Sequence, residues 1–320
     1  MVQSYDPEKP YSRRILEIIS QTWGNQVIDV LGYPVIKDFF GAPYFMEHVD
    51  GIGTKGLLHF QRGSFEEAAT DAFAMNVNDL AILGFQPRLL NCHLLLQEEN
   101  NDISLQIISQ IASLCKKYRI LYTGGETAIL DTISGLEIGI HVSGTAQKLI
   151  NTPLEEGDLV YGHPSNGIHS NGLTLARRLL KEEILKYLDI LTTPTKIYFG
   201  ELNHTDRWAK KRMHITGGAF TKLKKLLNSN LGMIVDLTEI KIPRIFQILF
   251  ERLRQYYEMP CKEMLRTFNC GIGFIEIIDP HNRDAFEEAS KSALLIGKVT
   301  KMEKGCVQIK SSFENVIVEM

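Results

Sequence analysis

Strand-length apolar runs that end on glycine, each followed by a segment with helical spacing, recur along both halves of this chain and confine it to an α/β (α+β) fold class. From Tyr44 to Val49 an apolar run enters Asp50-Gly51-Ile52-Gly53-Thr54-Lys55, a strand leading into a glycine turn. Phe65 to Gly84 places Ala68, Ala72, Met75 and Leu80 at helical spacing, and Gly84 with Pro87 ends it. Leu89 to Leu96 predicts a strand. Ile107, Ile108, Ile111, Leu114 and Cys115 predict an amphipathic helix over Ile103 to Tyr118. Ile120 to Thr123 predicts a short strand entering a turn at Gly124-Gly125-Glu126-Thr127, and Gly135 to Leu149 a further strand.

A polar connection at Pro153 to Gly157 separates this half from a second one. There the pattern predicts a strand at Leu159 to Gly162 and a helix ending near Glu183, then a helix at Phe220 to Leu227 and a strand at Met233 to Asp236. A helix at Ile245 to Tyr256, a strand at Ile272 to Ile278, a helix at Asn282 to Lys291 and strands near Leu294 and Val307 follow. A length of 320 residues exceeds what one core usually covers, so two domains are expected, 1–153 and 154–320.

The net charge of -3, spread along the chain, offers no basic face for nucleic acid or an anionic membrane. Any phosphate site must therefore be local. Five cysteines without a CxxC pair argue against a zinc knuckle or a disulfide framework and suit reduced thiols. The polar segment Met1 to Arg14 lacks the apolar stretch of a signal peptide, and no run approaches the length of a membrane span, so the cytoplasm is the expected compartment.

Asp50, Asp71, Asp79 and Glu126 stand beside glycine, asparagine or strand ends rather than in solvated charge runs. Asp71 and Asp79 are eight apart and can share one helix face, where two carboxylates suit magnesium and phosphates. The alternative is that such acids cap helices or pair with nearby bases. Asn78-Asp79 in an apolar helix resists the bland reading, because a buried carboxylate needs a metal or a cation. Gly51, Gly53 and Lys55 suit a phosphate contact, although the spacing matches neither a P-loop nor a dinucleotide turn. Ser165 to Gly172 places His169, Ser170 and Asn171 before a helix whose N-terminus can attract an anion, with an ordinary cap as the alternative. His169 is a candidate acid-base group. His214-Ile215-Thr216-Gly217-Gly218 and Phe268 to Gly273, with Asn269, form two more glycine turns. Ser170 beside His169 does not make a hydrolase, since adjacent side chains diverge.

Together, DGIGTK at Asp50 to Lys55, NVNDL at Asn76 to Leu80, GGETA at Gly124 to Ala128, SNGIHSNG at Ser165 to Gly172, HITGG at His214 to Gly218 and RTFNCGIG at Arg266 to Gly273 resemble the phosphoribosylformylglycinamidine cyclo-ligase (aminoimidazole ribonucleotide synthetase) family in order and spacing. Pro194 to Tyr198 resembles a further family segment. The resemblance implies two α/β domains, with the N-terminal sheets of two subunits joined into a barrel across a homodimer. It implies ATP and Mg2+, and a small phosphorylated substrate whose formyl amide oxygen is phosphorylated before an amidine nitrogen closes an imidazole ring. Carried onto this chain, Asp50, Asp71, Asp79 and Glu126 would hold the metal. Gly51, Gly53, Thr54, Lys55, Asn78, Gly124, Gly125, Ser170, Asn171, Thr216, Gly217 and Asn269 would line the nucleotide or substrate cleft. Asp79, His169 and His214 would be catalytic. The chain departs from the family pattern at Ser4-Tyr5-Asp6, where a longer loop is expected, at Ile129 to Thr132, and at Lys222, which replaces a customary acid. The alternatives are another ATP-dependent enzyme of the same superfamily and a non-catalytic nucleotide-binding homologue.

Overall fold

The computed structural model describes residues 24–39, 41–228, 230–302, 305–314 and 316–320. The departure at Ser4 to Asp6 lies outside them. Two sheets divide the chain. The first has the order β1-β2-β3-β6-β4-β5, from β1 (Val27–Val30), β2 (Tyr33–Phe39), β3 (Ala42–Gly51), β4 (Gln86–Leu96), β5 (Leu121–Ile129) and β6 (Leu136–Ala146). Its pairs are antiparallel except β4 with β5. The second has the order β13-β12-β9-β11-β7-β10-β8, from β7 (Leu159–Pro164), β8 (Ala209–His214), β9 (Leu231–Asp236), β10 (Ile272–Ile278), β11 (Leu294–Lys301), β12 (Val307–Lys310) and β13 (Ile317–Glu319).

Helix α1 (Thr54–Arg62) follows the glycine turn after β3, and α2 (Phe65–Ile82) follows α1 across a left-handed Gly63. Nearly every side chain of α2 is buried, because it packs on the sheet through Ala68, Ala72 and Val77 while its other side meets the second half of the chain. Helix α3 (Asn101–Tyr118) starts with Asn100 accepting from Ile103 N and shows solvent its polar face. Tyr198, Phe199 and Phe274 of the second half belong to the first apolar core, and Leu58 of α1 to the second, so the halves share a dry boundary. Among the described residues no helix is long and apolar enough to cross a membrane.

Three local readings are corrected. Gly124 to Thr127 is not a turn but the middle of β5, where Thr123 is the extra residue of a bulge between the Leu90–Tyr122 and Asn91–Gly124 pairs. A Cβ on Gly125 would overlap the Cys92 carbonyl, so glycine is needed there for close strand approach rather than for chain reversal. The helix at Phe220 to Leu227 is a 3-10 segment, Ala219–Leu226. The sequence reading passed over α1 and the helix Pro260–Thr267, which begins with proline in its first turn.

A buried ion pair within the second sheet also reaches α2. Arg212 of β8 donates to Glu276 of β10 at 2.8 Å, to Thr205 Oγ1 at 3.0 Å and to the carbonyl of Ala81, in the last turn of α2, at 3.2 Å. Glu276 is also bonded by His163 Nε2 at 2.8 Å. Burial pushes the Glu276 carboxyl up, but the Arg212 charge and the His163 hydrogen bond outweigh it and hold it at about 2. A depressed carboxyl stabilises the fold fully above its unfolded value, near 4.5, and that contribution is lost as pH falls toward 2. Glu276→Gln is expected to flatten the loss of stability between pH 4.5 and 2 in denaturant titrations. Arg212→Met is expected to cost about 3–5 kcal/mol at neutral pH, since it strands a buried carboxylate.

Candidate active site

Helix α2 delivers Asp71 and Asp79 to its buried boundary with the second half, and the structure supplies each with its own hydrogen-bond donors. Asp79 Oδ1 is 2.7 Å from His214 Nδ1, and Oδ2 is 3.2 Å from His48 Nε2 and 3.4 Å from the Tyr33 hydroxyl. Burial opposes ionisation of Asp79, yet the His214 and His48 hydrogen bonds hold its carboxyl well below the usual range.

The partners fix the proton positions. Asn76 Nδ2 donates to the carbonyls of Asp50 and Ala72, so its Oδ1 must face His48 Nδ1, 3.0 Å away. His48 thus meets an acceptor at each ring nitrogen and carries both protons. Burial works against that charge, but the Asp79 hydrogen bond prevails and the His48 pKa is raised. His214 has one acceptor, Asp79 at Nδ1, and burial lowers its pKa, so its Nε2 is a bare lone pair. That atom is buried with no hydrogen-bond partner among the described residues.

His169 presents a second bare nitrogen. Its Nε2 donates to Asn166 Oδ1 at 3.0 Å, an oxygen oriented by Asn166 Nδ2 donating to the Pro194 carbonyl, and its Nδ1 is buried without a hydrogen-bond partner among the described residues. Burial, the largest cause, and the neighbouring Lys55 charge drive the His169 pKa well below its ordinary value. Both rings flank Tyr198, with centroids 6.0 and 6.3 Å from it. A Cβ on Gly273 would overlap the Tyr198 hydroxyl and crowd the His169 ring, which explains a glycine in β10.

Asp71, fully buried, accepts from Lys55 Nζ at 2.8 Å, His59 Nε2 at 2.8 Å, Thr195 N at 2.7 Å, Thr195 Oγ1 at 2.5 Å and Ser170 Oγ at 3.0 Å. Burial lowers the Lys55 pKa while Asp71 opposes the shift, and the ammonium also donates to the Thr193 carbonyl at 2.7 Å. Lys55 therefore points into the protein. Thr54 Oγ1 lies 3.1 Å from Thr174 Oγ1 of the second half.

Asp50 Oδ1 accepts from Gly51 N at 2.8 Å, and Glu137 Oε1 of β6 accepts from Gly53 N at 3.1 Å. Burial, the largest cause, and the Asp50 charge raise the Glu137 carboxyl. Two carboxylates beside a glycine turn are hard oxygen donors and fit Mg2+. Glu126 lies elsewhere. The row Gly51, Gly139, His93, Glu126 crosses β3, β6, β4 and β5, which sets Glu126 three strands from the turn on the exposed sheet face, about 14 Å away at the usual spacing. No three of the four expected acids converge. Among the described residues the group of acids close enough to share an ion is Glu155, Asp158 and Asp279, and there Lys210 Nζ already lies 3.1 Å from Glu155 and 2.9 Å from Asp158.

The remaining residues divide into clamps and linings. Asn78 Oδ1 accepts from Tyr198 N and Phe199 N at 2.8 and 3.2 Å, and its Nδ2 donates to the Lys196 carbonyl, fixing the chain that carries Tyr198. Asn269 binds Ser165, Gly167, Ile168 and Gly271 and is spent on its own turn. Asn171 Nδ2 is buried without a hydrogen-bond partner among the described residues, with Gly217 beside its Oδ1. Lys222 donates to Thr216 Oγ1 at 2.6 Å and to the His214 carbonyl at 2.9 Å, so it braces the turn where the family pattern has an acid. Sequence reasoning missed Tyr33, His48, His59, Glu137 and Thr195. Only His48, two residues before Asp50 on the same strand, gave a local signal.

Comparisons with known proteins fall on the same segments. The AIR synthase related protein N-terminal domain matches residues 42–146 and the C-terminal domain of the same name matches 155–310. A phosphoribosylformylglycinamidine cyclo-ligase of Saccharolobus solfataricus is 35% identical over 271 residues, which covers 83% of this chain and 80% of the relative. This chain belongs to that family. The cyclo-ligase of Thermococcus gammatolerans is 34% identical, over 84% of this chain and 83% of its own length. Among solved structures, thiamine monophosphate kinase from Aquifex aeolicus shares the fold with a TM-score of 0.63 at 15% identity, over 94% of this chain and 96% of that one. HypE from E. coli does so at 0.62 and 17%, over 86% and 84%.

Nitrogen-15 NMR of the imidazoles checks the proton assignment. His214 is expected as the Nδ1–H tautomer and His48 as the doubly protonated ring at neutral pH, and Asp79→Asn is expected to move His214 toward a mixture of tautomers. An Nε2–H tautomer in the unaltered chain contradicts the assignment.

Proposed function

We propose that this enzyme performs the reaction for which its curated relatives are named, the ATP-dependent closure of formylglycinamidine ribonucleotide to aminoimidazole ribonucleotide. The observation that carries the reading is the Asp79–His214 pair with a bare, buried Nε2, set in a chain of that family. The formyl amide oxygen takes the terminal phosphoryl group of ATP, the amidine nitrogen attacks the activated carbon, and phosphate departs with the oxygen as the ring closes. ADP is the second product.

Ring closure releases a proton from the attacking nitrogen, and neutral His214, oriented by Asp79, is suited to accept it. His169, the second neutral imidazole, is the alternative acceptor from the other side of Tyr198. His48 keeps Asp79 ionised without drawing the proton from His214. Asp50 and Glu137 are the donors suited to Mg2+, which when bound would neutralise phosphate charge, as phosphoryl transfer requires. The Gly51 and Gly53 turn lets backbone approach the phosphates, and Asn171 and Thr216 offer polar groups at the other wall.

Purified protein with ATP, Mg2+ and formylglycinamidine ribonucleotide is expected to yield aminoimidazole ribonucleotide and ADP in equal amounts. Asp79→Asn is expected to lower turnover at least about 100-fold, the usual scale for losing an oriented acid-base group, with the thermal midpoint little changed. ATP consumption with a different phosphorylated substrate and none with this one would sink the reading in favour of another activity of the superfamily.

We also infer a homodimer joined through the first sheet. The face of that sheet turned away from α2 and α3 exposes Val49, Leu89 and Leu121, at 69%, 41% and 66%, an apolar surface that water does not favour. A second copy covering it would bring β5, with Glu126 and the glycines Gly124 and Gly125, into the interface, consistent with a shared barrel. Sedimentation is expected to give a dimer, and Val49→Glu with Leu121→Glu to give a folded monomer.

A further inference from the structure

The sequence groups Asp71 with the metal ligands, but its surroundings leave that role no room. A carboxylate offers about four lone-pair positions, and Lys55 Nζ, His59 Nε2, Thr195 N, Thr195 Oγ1 and Ser170 Oγ all donate to this one. An octahedral Mg2+ needs oxygen at about 2.0–2.1 Å, which here would require displacing several of these donors from a fully buried position. The donors come instead from three separate segments. Lys55 and His59 come from α1, while Ser170 and Thr195 come from two loops of the second half, and Lys55 also reaches back to the Thr193 carbonyl of the same loop.

We propose that Asp71 is a positioning residue that docks these two loops onto α1 and α2 and, through Ser170, holds His169 in its left-handed backbone conformation. His169 has φ 60°, a region that a side chain other than glycine occupies only when its surroundings over-determine it. Two anchors do so. Asn166 takes the ring at Nε2, and Asp71 takes the hydroxyl of the next residue. The first anchor joins the ring to Asn166, itself bonded to the Pro194 carbonyl, and the second ties the segment to α2, which also carries Asp79. Thr195 strengthens it by touching both Asp71 and Ser170, with its hydroxyl 3.1 Å from that of Ser170. The proposal rests on the proton-transfer role given to His169 above, yet the docking can be tested apart from it.

The test uses the full chain as Asp71→Asn and as Thr195→Val, the second keeping the Thr195 N–H bond to Asp71 in case the first does not fold. Amide hydrogen exchange of the 165–172 segment is expected to rise at least tenfold in both variants, with exchange of the β6 and β10 strands unchanged. The Mg2+ concentration that half-saturates binding of a non-hydrolysable ATP analogue, followed by calorimetry, is expected to stay within twofold of the unaltered chain. Turnover, where the ring-closing substrate is accepted, should fall through kcat more than KM. Unchanged exchange in Thr195→Val overturns the docking role. A tenfold higher Mg2+ requirement in a folded Asp71→Asn protein restores the metal-ligand reading. Failure of the unaltered chain to close the ring removes the proposed substrate but leaves the exchange and calorimetry results to decide the role of Asp71.

Discussion

Two carboxylates buried on one helix organise this molecule. Taking an ionised carboxylate out of water costs several kcal/mol unless charge and hydrogen bonds replace the solvent, so Asp71 and Asp79 can be buried only where the chain brings charge and hydrogen-bond donors to meet them. Lys55 and His59 reach Asp71 from α1, and His48 and His214 reach Asp79 from strands in different sheets. The demand for compensation thereby fixes the seating of α1, the end of β8 and two loops of the second half. A site at the boundary between two sheets gains its definition from those contacts.

The surroundings of Asp79 divide two chemically identical side chains into different states. His48 lies between an amide oxygen and the carboxylate and is charged; among the described residues the His214 ring hydrogen-bonds the carboxylate alone, and it is buried more completely and is neutral. Separating the states of paired titratable groups by environment is a common way to assign roles at neutral pH. The aromatic wall of Tyr198 and Phe274 contributes by excluding water from His214, whose ring stacks on Phe274 with centroids 5.7 Å apart. A neutral imidazole in a dry setting keeps its lone pair available.

Periodicity made the two long helices of the first half and most strands legible, since Ala68, Ala72 and Leu80 repeat at helical spacing and Ile138, Ile140 and Val142 alternate. The burial of Asp79 was legible for the same reason, because an acid inside an apolar repeat must find a counter-charge. Its partners were not. His214 is 135 residues away and Thr195 is 124 from Asp71, separations that no local pattern encodes. The glycines at 124 and 125 misled because glycine serves a reversal and a close strand contact equally well, and only the neighbouring Cys92 carbonyl decides between them. Glu126 drew notice as an acid beside glycine, but residue spacing does not tell which face of a sheet a side chain takes until the register is known.

The guanidinium of Arg212 closes the last turn of α2 by donating to the Ala81 carbonyl, although the helix and the arginine belong to different halves of the polypeptide. Each half thus finishes the other's secondary structure. Expressed separately, the first would carry an uncapped helix end and the second an arginine with one fewer acceptor, on top of an apolar boundary open to water. Divergence within such a fold should therefore conserve the joint between the halves while loops at the periphery vary, and a cut in the connection between Ala146 and Leu159 should leave the two pieces bound to each other.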